Sequence, residues 1–305
     1  ALASASSEYD APRWHPNNSA DRKKGGNKTG KNKQKKEQAP YERNPHFHLH
    51  RYTLLNDVNE VKRAIEHGAS IDLDGFDVDT TPLMDAAVRG FVEITHLLLS
   101  NGADANREQK PFGDTVMTMA AMGGQLEIVH ELLSHAADPH KARSIDKKTP
   151  LHIAAMKGNV DIVQELIDHA GLENAQLDDR DSDGHTALIL AASHGHLPVV
   201  DELLTHGSDP NLQDNYGETA LHHASRRGHF MVVRRLIGGG GSYHAEDDEG
   251  KTPQHHADEK GHRHVERFFH YHSKGRGDEF VAKYNSFMRK DPDFVDHHMG
   301  EKAEL

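Results

Sequence analysis

Apolar residues in this chain return in blocks of fixed design. Ile94, Leu97 and Leu98 recur as Ile128, Leu132 and Leu133, as Ile162, Leu166 and Ile167, and as Val199, Leu203 and Leu204. Their spacing puts each set on one face of a helix. Ahead of each set stands a shorter block built around paired alanines: Ala86 and Ala87, Ala120 and Ala121, Ala154 and Ala155, Ala191 and Ala192. Side chains that small predict a thin helix that its neighbours approach closely. Thr81, Thr115, Thr149, Thr186, Thr219 and Thr252 open these blocks, at steps of 34, 34, 37, 33 and 33 residues. A fixed period of this length predicts a stacked array of helical pairs, none of which buries its apolar face alone.

The polar punctuation agrees with that pattern. A threonine at a helix start caps free backbone N–H groups, and Pro82, Pro150 and Pro253 follow it where a missing N–H costs nothing. Gly90, Gly124, Gly158, Gly195, Gly228 and Gly261 fall where the first helix must end and turn.

Segments such as TPLHIAAMKGNVDIVQELI from Thr149 and TALILAASHGHLPVVDELLTHGSDPN from Thr186 resemble the ankyrin repeat. Its T-P-L-H-x-A-A opening, mid-repeat glycine, apolar second helix and G-A-D-x-N close are all legible, over roughly residues 46 to 275. The resemblance implies an all-α ankyrin-repeat solenoid of stacked helix-turn-helix units with β-hairpin-like loops. Seven units are expected, two of them caps. HFHLHRYTLLN replaces the Thr-Pro opening in the first, and Gln254 occupies the usual core leucine of the last.

Departures from the register mark places to inspect. The third unit has Val116 and Met117 in place of Pro-Leu and a longer approach loop, REQKPFGD. Ala136 and Ala170 stand where a glycine usually takes a left-handed conformation. The three-residue excess between Thr149 and Thr186 falls within HAGLENAQLDDRDSDG. A tolerated loop insertion is the simplest reading of it.

The chain divides by composition into residues 1–45, residues 46–275 and residues 276–305. The first part is rich in Ser, Asn, Gly and Lys and offers almost nothing to bury, so it reads as a disordered tail. Eight of the fifteen residues from Arg22 to Lys36 are basic. Two readings of that run stand side by side, a nuclear-import or nucleic-acid segment and a solvated linker. The remainder carries about −17 of charge, which repels phosphate and favours a basic protein or peptide partner. The last part contains a short helix with Phe280, Val281, Tyr284, Phe287 and Met288 on one side, either packed on the last repeat or free to bind elsewhere.

No stretch approaches the roughly 20 apolar residues of a membrane span. There is no cysteine, which excludes disulfides and thiol chemistry. A cytoplasmic or nuclear location is expected from the resemblance, and a monomer is expected. The secretory pathway is the alternative, on three signals: Asn17 and Asn27 in glycosylation triplets, and a Lys-Ala-Glu-Leu close similar to a retrieval signal.

Twenty-seven histidines raise the question of metal. The resemblance gives His152, His222 and His255 a hydrogen-bonding role between loops. His67, His135, His169 and His206 sit at the end of the second helix, where positive charge suits the dipole. The exceptions crowd the two ends, at His46, His48 and His50 and around His255 to His272, with His297 and His298 in the tail. No specific metal site and no cofactor is assigned. HELLSH, from His130 to His135, is one residue too long for a metalloprotease helix, and Gly238 to Gly241 follows a helix and lacks G-K-[ST]. No nucleophile, base and orienting group are brought together, so an enzyme is not expected.

The expected function is that of a non-catalytic scaffold or adaptor. Three alternatives are kept: a nuclear or nucleic-acid-associated regulator acting through the basic tail, a luminal adaptor, and the interaction part of a longer enzyme. In the ankyrin family, partners lie on the concave face, on loop fingertips and on the variable residues before the mid-repeat glycine. By that resemblance the partner-binding residues are Val78, Val88, Arg89, Phe112, Met122, Met156, Lys157, His185, His194, Tyr216, Arg226 and Arg227. Phe112, Met122 and Met156 are the expected anchors, with Tyr216 and Arg226 as a second contact.

Overall fold

The computed structural model describes residues 45–74, 79–170 and 174–290, all within one compact unit. Its helices come in consecutive pairs: α1 (Pro45–Leu54) with α2 (Val58–Glu66), α3 (Pro82–Arg89) with α4 (Val92–Ser100), α5 (Val116–Gly123) with α6 (Leu126–Ser134), and α7 (Pro150–Lys157) with α8 (Val160–Ala170). After the short α9 (Asn174–Leu177) come α10 (Ala187–His194) with α11 (Leu197–Thr205), α12 (Ala220–Arg227) with α13 (Phe230–Gly238), and α14 (Pro253–Glu259) with α15 (Arg263–Ser273). The described chain ends in α16 (Gly277–Lys290). Among the described residues no strand forms. The loops carry only isolated antiparallel bridges, Glu108 with Thr115 and Gln213 with Thr219.

From the second pair onward each first helix starts at its threonine. The Thr81 hydroxyl accepts the Met84 N–H at 3.2 Å, Thr115 that of Thr118 at 3.1 Å, and Thr186 that of Ile189 at 3.3 Å. Where the third helical residue is polar, it answers: the Thr115 N–H donates to the Thr118 hydroxyl at 2.8 Å, and the Thr219 N–H to His222 Nδ1 at 3.1 Å. Such reciprocal capping satisfies donors that a buried helix end could not leave open. The alanine pairs are fully buried, and α3 packs on α5, α8 on α11 and α10 on α12. Core burial is continuous from Leu49 to Val281.

The excess before Thr186 is absorbed in two ways. Helix α8 runs 11 residues where α4, α6, α11 and α13 run 9, and α9 then places Leu177 in the core. Ala136 adopts φ +58° and is exposed. A Cβ in that conformation costs about 1 kcal/mol relative to glycine. Ala136→Gly should therefore raise stability by about 1 kcal/mol, read as a higher midpoint in thermal or denaturant unfolding.

At the amino-terminal end the HFHLH histidines have separate duties. His46 Nδ1 accepts the Ser70 N–H at 2.7 Å, His48 stacks on Tyr52, and His50 Nε2 lies 2.9 Å from the Asp85 carboxylate of the next pair. At the other end α16 packs on α15, with Phe280 and Val281 buried. The Phe280 ring lies 5.9 Å from Phe230 and 6.2 Å from Phe268, and Tyr284 lies 4.3 Å from Phe230. Residues 1–44, with Asn17 and Asn27, lie outside the described residues, as do Val78, His297, His298 and the last four residues. The side chains of His169, Phe287 and Met288 do too.

Candidate functional site

The loops between pairs form a row of fingertips, each tied to the next by one backbone hydrogen bond. The Ile145 N–H donates to the Phe112 carbonyl at 3.3 Å, Ser182 to Asp146 at 2.9 Å, Asn215 to Asp183 at 3.0 Å, and Asp248 to Tyr216 at 3.1 Å. Inside three of these loops an aspartate folds the turn. Asp181 Oδ1 accepts the N–H groups of Asp183 and His185, Asp214 Oδ1 those of Tyr216 and Glu218, and Asp247 Oδ1 those of Glu249 and Lys251, all at 2.8–3.0 Å. Committing one oxygen to the backbone leaves the other, Oδ2, facing the neighbouring side chains.

Those second oxygens join a ladder of charge that crosses from loop to loop. Arg143 spans Asp114 at 3.3 Å and Asp146 at 3.2 Å, and Lys148 spans Asp146 at 3.2 Å and Asp181 Oδ2 at 3.0 Å. His185 Nδ1 lies 3.4 Å from Asp181 Oδ2, and its Nε2 lies 3.6 Å from Asp214 Oδ2. His223 Nε2 is 2.8 Å from Asp214 Oδ2 and 3.3 Å from Glu218 Oε2. Arg226 pairs with Glu218 Oε1, and His256 Nε2 reaches Asp247 Oδ2 at 2.8 Å.

Protonation follows from these partners. Burial opposes the charge on Asp181, but hydrogen bonds from His185 and Lys148 outweigh it and hold the carboxyl well below the usual range. Burial likewise disfavours the His185 cation, and Asp181 overcomes it, so that His185 holds its proton to a higher pH than usual. Asp114 goes the other way: burial pushes it up and Arg143 offsets that only in part. Among the described residues three groupings bring His and carboxylate donors near enough together to hold a metal ion: His185 with Asp214 and His223, Asp181 with Asp183 and His185, and Glu218 with Asp247 and His256.

The residues that sequence reading selects divide into three groups. Phe112 and Tyr216 are exposed at fingertips, 38% and 65% accessible, and Arg89, Lys157, His194 and Arg227 are exposed at the ends of first helices. Val88, Met122 and Met156 are half-buried and lean on the core, so they offer edges only. His185 and Arg226 are committed to the ladder. Sequence reading passes over Ile145, 56% exposed on the fingertip bonded to Phe112. It also passes over the ladder itself. The signal was present: Asp181, Asp214 and Asp247 recur every 33 residues, five positions before a threonine, and His223 and His256 are also 33 apart.

Of the three histidines of the T-P-L-H register, His152 and His222 bind between loops as expected, whereas His255, in the last pair, bonds to its own Thr252. His152 Nε2 meets the Asp179 and His185 carbonyls at 3.0 Å, and His222 Nε2 meets the Lys251 carbonyl at 3.1 Å. His67, His135 and His206 turn Nδ1 onto the carbonyl four residues back, at 2.7, 2.9 and 3.0 Å.

Comparison with known proteins bears on this geometry. A family model described as ankyrin repeats matches residues 101–171, 117–214 and 195–276, and a single ankyrin repeat matches residues 79–110. Among solved structures, the ankyrin repeat domain of Bcl-3, a unique member of the IkappaB protein family, is similar at 27% identity and TM-score 0.60. That match covers 69% of this chain and 93% of that one. The human ASB11 ankyrin repeat domain shares the fold at 24% identity and TM-score 0.61, over 68% of this chain and 90% of the other. No curated protein matches the sequence. No helix among the described residues is long and apolar enough to cross a membrane.

Proposed function

This chain belongs to the ankyrin-repeat family, a fold of protein–protein interaction, and from that premise we propose that it is a non-catalytic scaffold whose fingertip row holds a basic, apolar-anchored peptide segment. One observation carries the reading: Phe112 and Ile145 are exposed side by side on fingertips tied by a hydrogen bond. Exposed apolar groups on a rigid, polar-rimmed surface are the usual anchor points of an interface. Tyr216, further along the same row, supplies a second aromatic platform.

Charge sets the character of the rest of the segment. Asp183, Asp248 and Glu249 are exposed beside these tips, and the chain beyond its basic tail is strongly acidic. Such a field draws in lysine- and arginine-bearing partners and speeds their approach at low salt. Peptides selected from a random display library against the full chain are expected to carry an apolar anchor flanked by Lys or Arg, and to bind more weakly as salt rises. Selection of acidic peptides, or binding indifferent to salt, would count against this reading.

A further inference from the structure

We propose that His185, Asp214 and His223 form a binding site for a divalent transition-metal ion of the zinc type, joining two neighbouring repeats, with the fourth position left to water. Zinc takes imidazole nitrogen and carboxylate oxygen in tetrahedral sets at about 2.0–2.2 Å, which puts adjacent donors roughly 3.3 Å apart. Here Asp214 Oδ2 stands 2.8 Å from His223 Nε2 and 3.6 Å from His185 Nε2. The two distances to Asp214 Oδ2 bracket the tetrahedral edge, and the three donors His185, Asp214 and His223 all lie within 4.8 Å of one another.

The donors are also held in place from behind. Asp214 Oδ1 is fixed by the Tyr216 and Glu218 N–H groups, leaving Oδ2 to turn toward the imidazoles. His185 turns Nδ1 to the Asp181 carboxylate, the outer carboxylate that commonly orients a metal-binding histidine by its second nitrogen. The Asp214 side chain is fully buried, whereas His185 and His223 keep 19% and 13% of their side-chain surface, enough for an ion to enter from solvent.

The other two groupings are weaker because a resident cation already serves them. The Lys148 ammonium lies 3.0 Å from Asp181 Oδ2, and Arg226 Nε lies 3.4 Å from His256 Nδ1 while its other end holds Glu218. At the proposed site a metal ion displaces protons alone, that of the His223–Asp214 hydrogen bond and any carried by His185 Nε2. Binding therefore weakens on acidification. Neither the end clusters nor any catalytic motif enters the proposal, and it stands apart from peptide binding at Phe112 and Ile145.

The test uses the full chain without an affinity tag, with Zn²⁺ in calorimetry and Co²⁺ as a spectroscopic probe. One equivalent should bind with micromolar affinity or better, and the Co²⁺ adduct should show the intense visible bands of a tetrahedral site. His185→Gln and His223→Gln should each weaken that equivalent by roughly 100-fold, while His46→Gln with His48→Gln leaves it unchanged. Should His223→Gln unfold by circular dichroism, proton NMR of the native chain serves instead, with His185 and His223 responding to Zn²⁺ before any other imidazole. No binding tighter than millimolar would overturn the proposal. So would a tight equivalent that survives both substitutions, or other histidines responding first.

Discussion

Gly195→Ala should destabilise the chain by about 3 kcal/mol, while Gly261→Ala, at the equivalent position two repeats on, costs only about 1 kcal/mol. Both glycines are left-handed, at φ +78° and +73°, so both substitutions carry the same backbone cost. They differ in what an added Cβ would meet. At Gly195 it would lie 2.8 Å from two atoms of the His229 ring, and at Gly261 it would meet nothing within 4 Å. The His229 ring is not free to yield, because its Nε2 reaches back to the Ser193 carbonyl at 3.2 Å. Displacing it loses a hydrogen bond between repeats as well as a packed contact. His196 over Gly158 and His262 over Gly228 repeat the arrangement. Denaturant unfolding of the two variants measures the difference, and equal losses would show that the ring does not hold the repeats together.

Acidification from pH 7 to about 4.5 should remove about 2–3 kcal/mol through His222 alone. Burial pushes this histidine down to about 4, against 6.5 for the free side chain. The geometry explains why. Its Nδ1 accepts the Thr219 N–H at 3.1 Å and its Nε2–H donates to the Lys251 carbonyl, so a second proton on Nδ1 would face a donor. A group whose folded pKa lies below its unfolded value contributes stability above pH 6.5 and loses it as pH falls toward 4. His152 and His229, both pushed down by burial, act in the same direction. His185, raised by Asp181, acts oppositely: its contribution is complete below pH 6.5 and is lost as pH rises through its folded value. Asp181 and Asp247, both lowered, matter only below their ordinary pKa of 3.8. Unfolding midpoints measured from pH 7 to 4.5 should fall, and His222→Gln should flatten the slope. A midpoint indifferent to pH would contradict the assignment.

Much of this was legible in the chain because it is local. Thr-capped starts, alanine-thin first helices, turn glycines and the T-P-L-H histidines each act over a few residues at a fixed period, and the structure places them in that register. The ladder from Asp114 to Asp247 was not read, because the rungs that join one loop to the next, Arg143 with Asp114, Lys148 with Asp181 and His185 with Asp214, link residues about one repeat apart and only the stacking brings them together. Ile145 escaped for a similar reason: its exposure depends on how one fingertip lies against the next. The histidines that drew attention at the amino-terminal end took separate structural partners, while His185, expected only as a partner contact, and His223, unremarked among the twenty-seven, converge on one carboxylate. Helix α9 shows the same limit, since nothing in NAQL announces that Leu177 fills the core where the period lengthens.

Everything said of function rests on the fingertip row as a binding surface. Titrating a display-selected peptide into the native chain and into the Phe112→Ala, Ile145→Ala double variant tests it most directly. The account predicts a loss of at least about tenfold, with the fold unchanged by circular dichroism. Equal affinity for the two proteins would contradict it.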